Sequence, residues 1–118
     1  MSTSLVPVVI YRMDDQCTKL ESTSVALPKE KTLERAIGTI LDQANTPDFT
    51  ISDYQVAKAN GIATITLRIA PGAKRSFASM STCEQMAFFG AMRETLVQRK
   101  EWSIREVKFT DGKKEIRF

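Results

Sequence analysis

Two thiols, Cys17 and Cys83, are the only side chains in this 118-residue chain with an obvious covalent chemistry, and no histidine stands anywhere to activate them. That absence removes Ser-His and Cys-His nucleophile schemes, histidine general bases and most zinc and non-haem iron sites. Cys83 opens a helical pattern, and a helix N-terminus lowers a thiol pKa. A thiol with no base beside it still makes a poor enzyme. Two cysteines cannot fill a four-ligand zinc site, so they form a disulfide or are two buried thiols. Asp14 and Asp15 could offer oxygens to calcium, but adjacent carboxylates at a turn are more often turn formers. "PGAKRSFASM" (Pro71–Met80) holds Gly, Lys and Ser without the GxxxxGK[ST] spacing of a phosphate loop, and reads as a basic loop. The chain therefore offers no catalytic, cofactor or metal residues, and a non-enzyme is expected.

The elements that carry these residues follow from periodicity. "LVPVVIYRM" (Leu5–Met13) is apolar on both parities, which predicts a central strand covered on both faces. It is too short, and too quickly followed by charge, for an export signal, so the sequence fits a mature domain or one trimmed of its signal. "DDQ" turns the chain, and Lys19–Pro28 reads as a second extended segment ended by Pro28. Within Lys29–Asn45, Leu33, Ile37, Ile40, Leu41 and Ala44 form one apolar stripe at helical spacing. Gly38 inside that helix is unfavourable by about 1 kcal/mol against Ala, and a close helix–sheet contact would account for it.

Asn60-Gly61 is a preferred pair for a two-residue type I′ turn. That turn pairs Ala59 with Ile62, Val56 with Ile65 and Tyr54 with Leu67, and the expectation is that all of these share one apolar face with Ala63 and Ile69. Ser81 and Glu84 make a capping box at the head of a second helix over Thr82–Lys100, with Met86, Phe89, Met92 or Arg93, and Leu96 as its stripe, broadened by Phe88 and Val97. The tail predicts a hairpin around Asp111-Gly112 that pairs Val107 with Ile116, Lys108 with Glu115 and Glu106 with Arg117, with Phe109 and Phe118 on the apolar face. The whole is one α+β domain over residues 1–118, with two helices on one face of a small, mainly antiparallel sheet. The expected core is Val9, Tyr11, Ile37, Ile40, Leu41, Val56, Ile65, Leu67, Phe89, Leu96 and Val107.

Charge is uneven along the chain. Residues 1–60 hold six Lys and Arg against eight Asp and Glu, net −2; residues 61–118 hold eleven against six, net +5. A basic half suggests an anionic partner, although alternating signs and few aromatics read more simply as a solvated surface. No stretch is long and apolar enough to span a bilayer.

The order of these words resembles the GerMN domain of sporulation and spore-germination proteins. That family opens with an apolar strand ending in Tyr, here "VVIYRMDD". Its Gly-x-Ala hairpin appears as "KANGIATITL" (Lys58–Leu67), its last helix as "ETLVQ" (Glu94–Gln98), and its Asp-Gly-Lys ending as "IREVKFTDGK" (Ile104–Lys113). Nearly the whole chain is covered. "DQAN" stands where the family often has Gly-Pro, and "TLRIA" where it often has Asp-Leu-Ser, so the resemblance is to a divergent branch. It implies a fold similar to ring-building motifs, an extracytoplasmic, lipoprotein-like setting in the bacterial envelope, and a non-catalytic role in assembly. It leaves the cytoplasm open and supplies no catalytic residues.

An even cysteine count, together with that implied setting, predicts a disulfide between Cys17, after the first strand's turn, and Cys83, at the head of the second helix. The expected work is surface binding to a protein partner or to a second copy. The contact surface would be the edge of the C-terminal hairpin with Lys113, Lys114 and Arg117, and the loop with Lys74 and Arg75. The alternative is a basic module on an anionic polymer, nucleic acid or acidic wall polymer. A third reading, a small redox or metal protein, needs a reactive Cys17 or Cys83. No small-molecule substrate is expected, and membrane association would need an anchor that this chain does not contain.

Overall fold

A computed structural model describes residues 4–44, 51–70 and 77–116. Its elements run β1 (Leu5–Met13), β2 (Leu20–Pro28), α1 (Thr32–Ala44), β3 (Ile51–Ala59), β4 (Ile62–Ile69), α2 (Thr82–Gln85), a π-helical stretch at Met86–Gly90, α3 (Ala91–Gln98) and β5 (Glu106–Thr110). The fold is α+β. Its strands form two sheets instead of one, the antiparallel pair β1-β2 and the three-stranded β3-β4-β5.

The β3–β4 hairpin has the register that Asn60-Gly61 predicts. Ala59 pairs Ile62, Val56 pairs Ile65 and Tyr54 pairs Leu67, with positive φ at both turn residues (54° and 80°). One part of the face assignment is corrected. Side chains alternate along a strand, so Ile62 cannot share a face with Ala63, Ile65 and Leu67. Those three are buried, while Ile62 is half-buried and Ala59 exposed. Val56 is half-buried and packs at the core's margin.

β1 is not a central strand. Among the described residues it pairs only with β2, and only its even residues Val8 and Ile10 are fully buried. Val9 and Tyr11, expected in the core, lie on the opposite parity and are half-buried, and Leu5 is 60% exposed. α1 packs against both strands of this pair.

α1 forms as its stripe predicts, with Ile37, Ile40 and Leu41 inside. The second helix carries its capping box. The Ser81 N–H donates to Glu84 Oε1 (2.9 Å), and the Glu84 N–H to Ser81 Oγ (3.2 Å). The π-helical stretch then inserts an i→i+5 turn, rotating the face that follows. Phe88, Phe89, Met92 and Leu96 are buried, whereas Met86 and Val97 are about 40% exposed. The helix ends at Gln98, two residues before the expected Lys100, because Arg99 turns extended (φ −91°, ψ 107°).

β5 runs parallel to β4, from Ile62↔Glu106 to Thr66↔Thr110. A parallel neighbour needs a long crossover, usually helical, and the helix over residues 82–98 supplies it. The C-terminal hairpin differs from expectation. Thr110 bridges Glu115 and the Ile116 N–H donates to the Phe109 carbonyl (2.7 Å), a register two residues from the expected one. The Asp111 carboxylate is the cause: it accepts the N–H of both Lys113 (2.9 Å) and Lys114 (3.0 Å), which widens the loop to four residues. Phe118 lies outside the described residues.

Candidate interaction surface

The two thiols are joined. Cys17 and Cys83 form a disulfide with a Cα–Cα distance of 5.8 Å, and neither cysteine is free. It ties the β1–β2 turn to the start of α2. The turn is built by Asp14, whose carboxylate accepts the Thr18 N–H (2.7 Å), the Thr18 hydroxyl and the Lys19 N–H (3.4 Å). Those bonds, led by the Thr18 hydroxyl's, hold its carboxyl below the usual value of 3.8. Asp15 is exposed, 3.9 Å from Arg12. The oxygens of Asp14 that calcium would need are thus engaged by the turn, and among the described residues no group of three metal-binding side chains converges.

Of the basic residues expected to make contacts, Lys74, Arg75 and Arg117 lie outside the described residues. Lys113 and Lys114 are exposed, and their backbones are fixed by Asp111. The described residues thus place two of these five cations.

The four sheet edges give a clearer picture. An open edge presents unpaired N–H and C=O groups that invite another chain. In an antiparallel pair, alternate residues of each strand point these groups outward. On β1 the outward residues are the odd ones from Leu5 to Met13, and the second helix with Arg99 just past its end meets the middle three, Pro7, Val9 and Tyr11. The Thr95 hydroxyl accepts the Tyr11 N–H (2.9 Å), the Gln98 amide donates to the Val9 carbonyl (3.3 Å), and the Arg99 guanidinium donates to the Pro7 carbonyl (3.1 Å). Pro7 has no N–H to offer. Thr95 is fully buried and is the polar residue in the described core. Arg99 is held in place by stacking over Trp102 (5.3 Å) and by pairing with Glu101 (2.9 Å). Sequence reasoning passed over Thr95, Gln98 and Arg99. The signal was present: a threonine one residue from Leu96 on an apolar stripe must hydrogen-bond to something.

β3 is blunted differently. Its ladder breaks between Ile51 and Asp53, and the Asp53 carboxylate accepts the Tyr54 N–H (2.9 Å), while Lys58, whose side chain shares a face with Ala63, donates to the Trp102 carbonyl (2.8 Å). β5 is short and its outer side meets Glu115 and Ile116. β2 is left open. Its odd residues face β1, so the N–H and C=O groups of Leu20, Ser22, Ser24 and Ala26 point outward, and among the described residues no other strand or side chain meets them. Glu21 is the one charged side chain in the strand, and Pro28 stands only at its end.

Beside that end lies an open groove of about 260 Å³, lined by Leu27 and Pro28 of β2, by Arg35, Gly38 and Asp42 of α1, and by Tyr54. Gly38 is explained here. A Cβ would lie 2.6 Å from the Tyr54 hydroxyl, which donates to the Glu34 carbonyl (2.9 Å). Burial, then the carboxylates of Asp42 and Glu34, push that hydroxyl above its usual value of 10.0. The groove is shallow, and its tyrosine is committed to a backbone bond. No acid–base pair converges in it.

No family model matches the chain, and no curated protein or solved structure does either. The edge geometry is therefore the main guide to what this surface does.

Proposed function

We propose that this domain is a non-enzymatic binding or assembly module that accepts an extended partner segment as a new strand on the open edge of β2. The observation that carries the reading is the contrast among edges. β1 is met along its middle by side chains, β3 is bulged and self-capped at one end, and β5 meets the returning chain, whereas among the described residues β2 offers alternate outward residues from Leu20 to Ala26 with no such interruption, one charge and no internal proline. Strand addition takes its affinity from such main-chain groups. The bacterial envelope, the setting implied by the resemblance to GerMN domains, belongs to the same proposal. The Cys17–Cys83 disulfide supports an oxidising compartment.

The test titrates isotope-labelled protein with soluble peptides of alternating Thr and Val, ten residues long. The amide signals of Leu20 to Ala26 should move, and Ser24→Pro should abolish the effect. The Ser24 N–H points away from β1, so proline there removes no ladder bond and the fold should survive. Shifts confined to other surfaces, or a measured turnover lost on one point substitution, would sink the reading.

A further inference from the structure

Glu21, Thr23, Val25 and Leu27 of β2 share a face with the buried Val8 and Ile10. Lys29 continues that row, because its N–H donates to the Ser4 carbonyl (2.9 Å) in step with the ladder. Val25 and Leu27 are half-buried and pack at the core's margin. Glu21 and Lys29 are exposed, and among the described residues no ion pair or hydrogen bond engages either side chain. Arg12 lies across the ladder from Glu21, but its guanidinium is drawn to Asp15 (3.9 Å). An acid and a base therefore stand equally spaced on either side of Val25, at opposite ends of the open edge.

We infer that a second copy of this chain takes the β2 edge, with the two β2 strands antiparallel about a two-fold axis at Val25. This names the partner in the strand-addition reading above and rests on it. Antiparallel strands bond outward residues to outward residues, so only even-to-even alignments are open. With Val25 on the axis, Ser24 of each copy exchanges both backbone bonds with Ala26 of the other. The Ser22 N–H reaches the Pro28 carbonyl, the one backbone hydrogen-bonding group that Pro28 has. Glu21 of each copy then faces Lys29 of the other, Thr23 faces Leu27, and Val25 meets Val25 at the close, non-hydrogen-bonded spacing. Neighbouring alignments lose this match. Ser24 on the axis sets Lys19 against Lys29, and like charges directly opposite are unfavourable. Thr23 on the axis sets Glu21 against Val25 and Lys19 against Leu27. Charge thus selects one alignment. The contact is isologous and closes at two copies. The outer strands of the joined sheet are then the two β1 strands, whose edges the second helix already meets.

The experiment is sedimentation equilibrium of the intact, disulfide-bonded chain, with the Leu20–Ala26 amide signals followed over the same concentrations. A monomer–dimer equilibrium should appear, and those signals should shift with it. Glu21→Lys and Lys29→Glu, both at exposed positions, should each weaken the dimer at least tenfold. An equimolar mixture of the two variants should recover to within threefold of the parent, because each copy supplies the charge that the other needs. Val25→Cys should cross-link two copies in oxidised glutathione, and Thr23→Cys should not. A mixture that fails to recover, or faster cross-linking at Thr23→Cys, would overturn the inference. So would a dimer that leaves the Leu20–Ala26 signals in place, since it would use another surface. If the chain stays monomeric at millimolar concentration while the Thr/Val peptides move those signals, the strand reading stands and the second copy falls. If neither a second copy nor a peptide moves them, both fall.

Discussion

β1 and β2 are the two halves of one antiparallel pair, yet their outer edges are treated in opposite ways. The β1 edge has a hydroxyl, an amide and a guanidinium from the second helix on its outward groups, and a proline where one N–H would have been. The β2 edge has serines, an alanine and open backbone. The apolar residues are on the wrong strand for simple edge protection. β1 is the more hydrophobic of the two and would aggregate if exposed, so it is the one covered. β2 is polar on its solvent face and can stay open in water without that hazard. An edge that is open but not sticky is what reversible strand addition requires.

That contrast can be broken at several points. The largest effect should come from the disulfide, which holds the shared turn of both strands against α2. Replacing Cys17 and Cys83 together by Ala opens a cross-link between residues 66 apart, and should lower stability by about 4 kcal/mol on the chain-entropy account. A denaturant midpoint unchanged from the parent would show that the turn is anchored by other contacts.

Next is Thr95→Val, which keeps the shape and removes the acceptor for the Tyr11 N–H. An orphaned buried donor costs about 1–3 kcal/mol. Amide exchange at Tyr11 should speed up, and the β1 edge should begin to behave like β2, with new self-association on concentration. Loss of stability without faster exchange at Tyr11 would point to core packing as the role of Thr95.

The smallest effect is in pH. The Asp14 carboxyl is held below its usual 3.8 by the hydrogen bonds that close the β1–β2 turn. A group with a depressed folded pKa gives stability that is present above the unfolded value and lost as pH falls through the folded one. The turn should therefore loosen below about pH 4, while the β3–β4 turn, built from Asn60 and Gly61, should not change. Exchange at the Thr18 and Lys19 amides, compared with that near Gly61, measures the difference. Equal responses would remove Asp14 from the account of the turn.

Much of the fold is local and was legible. Asn60-Gly61 specified a turn and so a register; Ser81 and Glu84 specified a helix start; the stripe from Leu33 to Leu41 specified the face of α1. Where the expectation for β1 failed, the deciding contacts were long-range. Nothing near Leu5–Met13 says that a helix some ninety residues later will lie along its edge. Apolar residues on both parities therefore suggested burial on both faces. The tail failed for another reason: Asp111 could close a tight hairpin turn or accept two backbone N–H groups, and the structure takes the second.

The sequence by itself determined the α+β character, the register of the first hairpin, the start of the second helix and the face of α1. These depend on residue type and on periods of two or 3.6, which act over a few neighbours. Only the tertiary structure decided that β5 runs parallel to β4, that Gly38 makes room for Tyr54, and that β2 is the edge left open. Each of these is set by which distant backbone groups find a partner, and a donor's partner across eighty residues is fixed by packing and not by its neighbours.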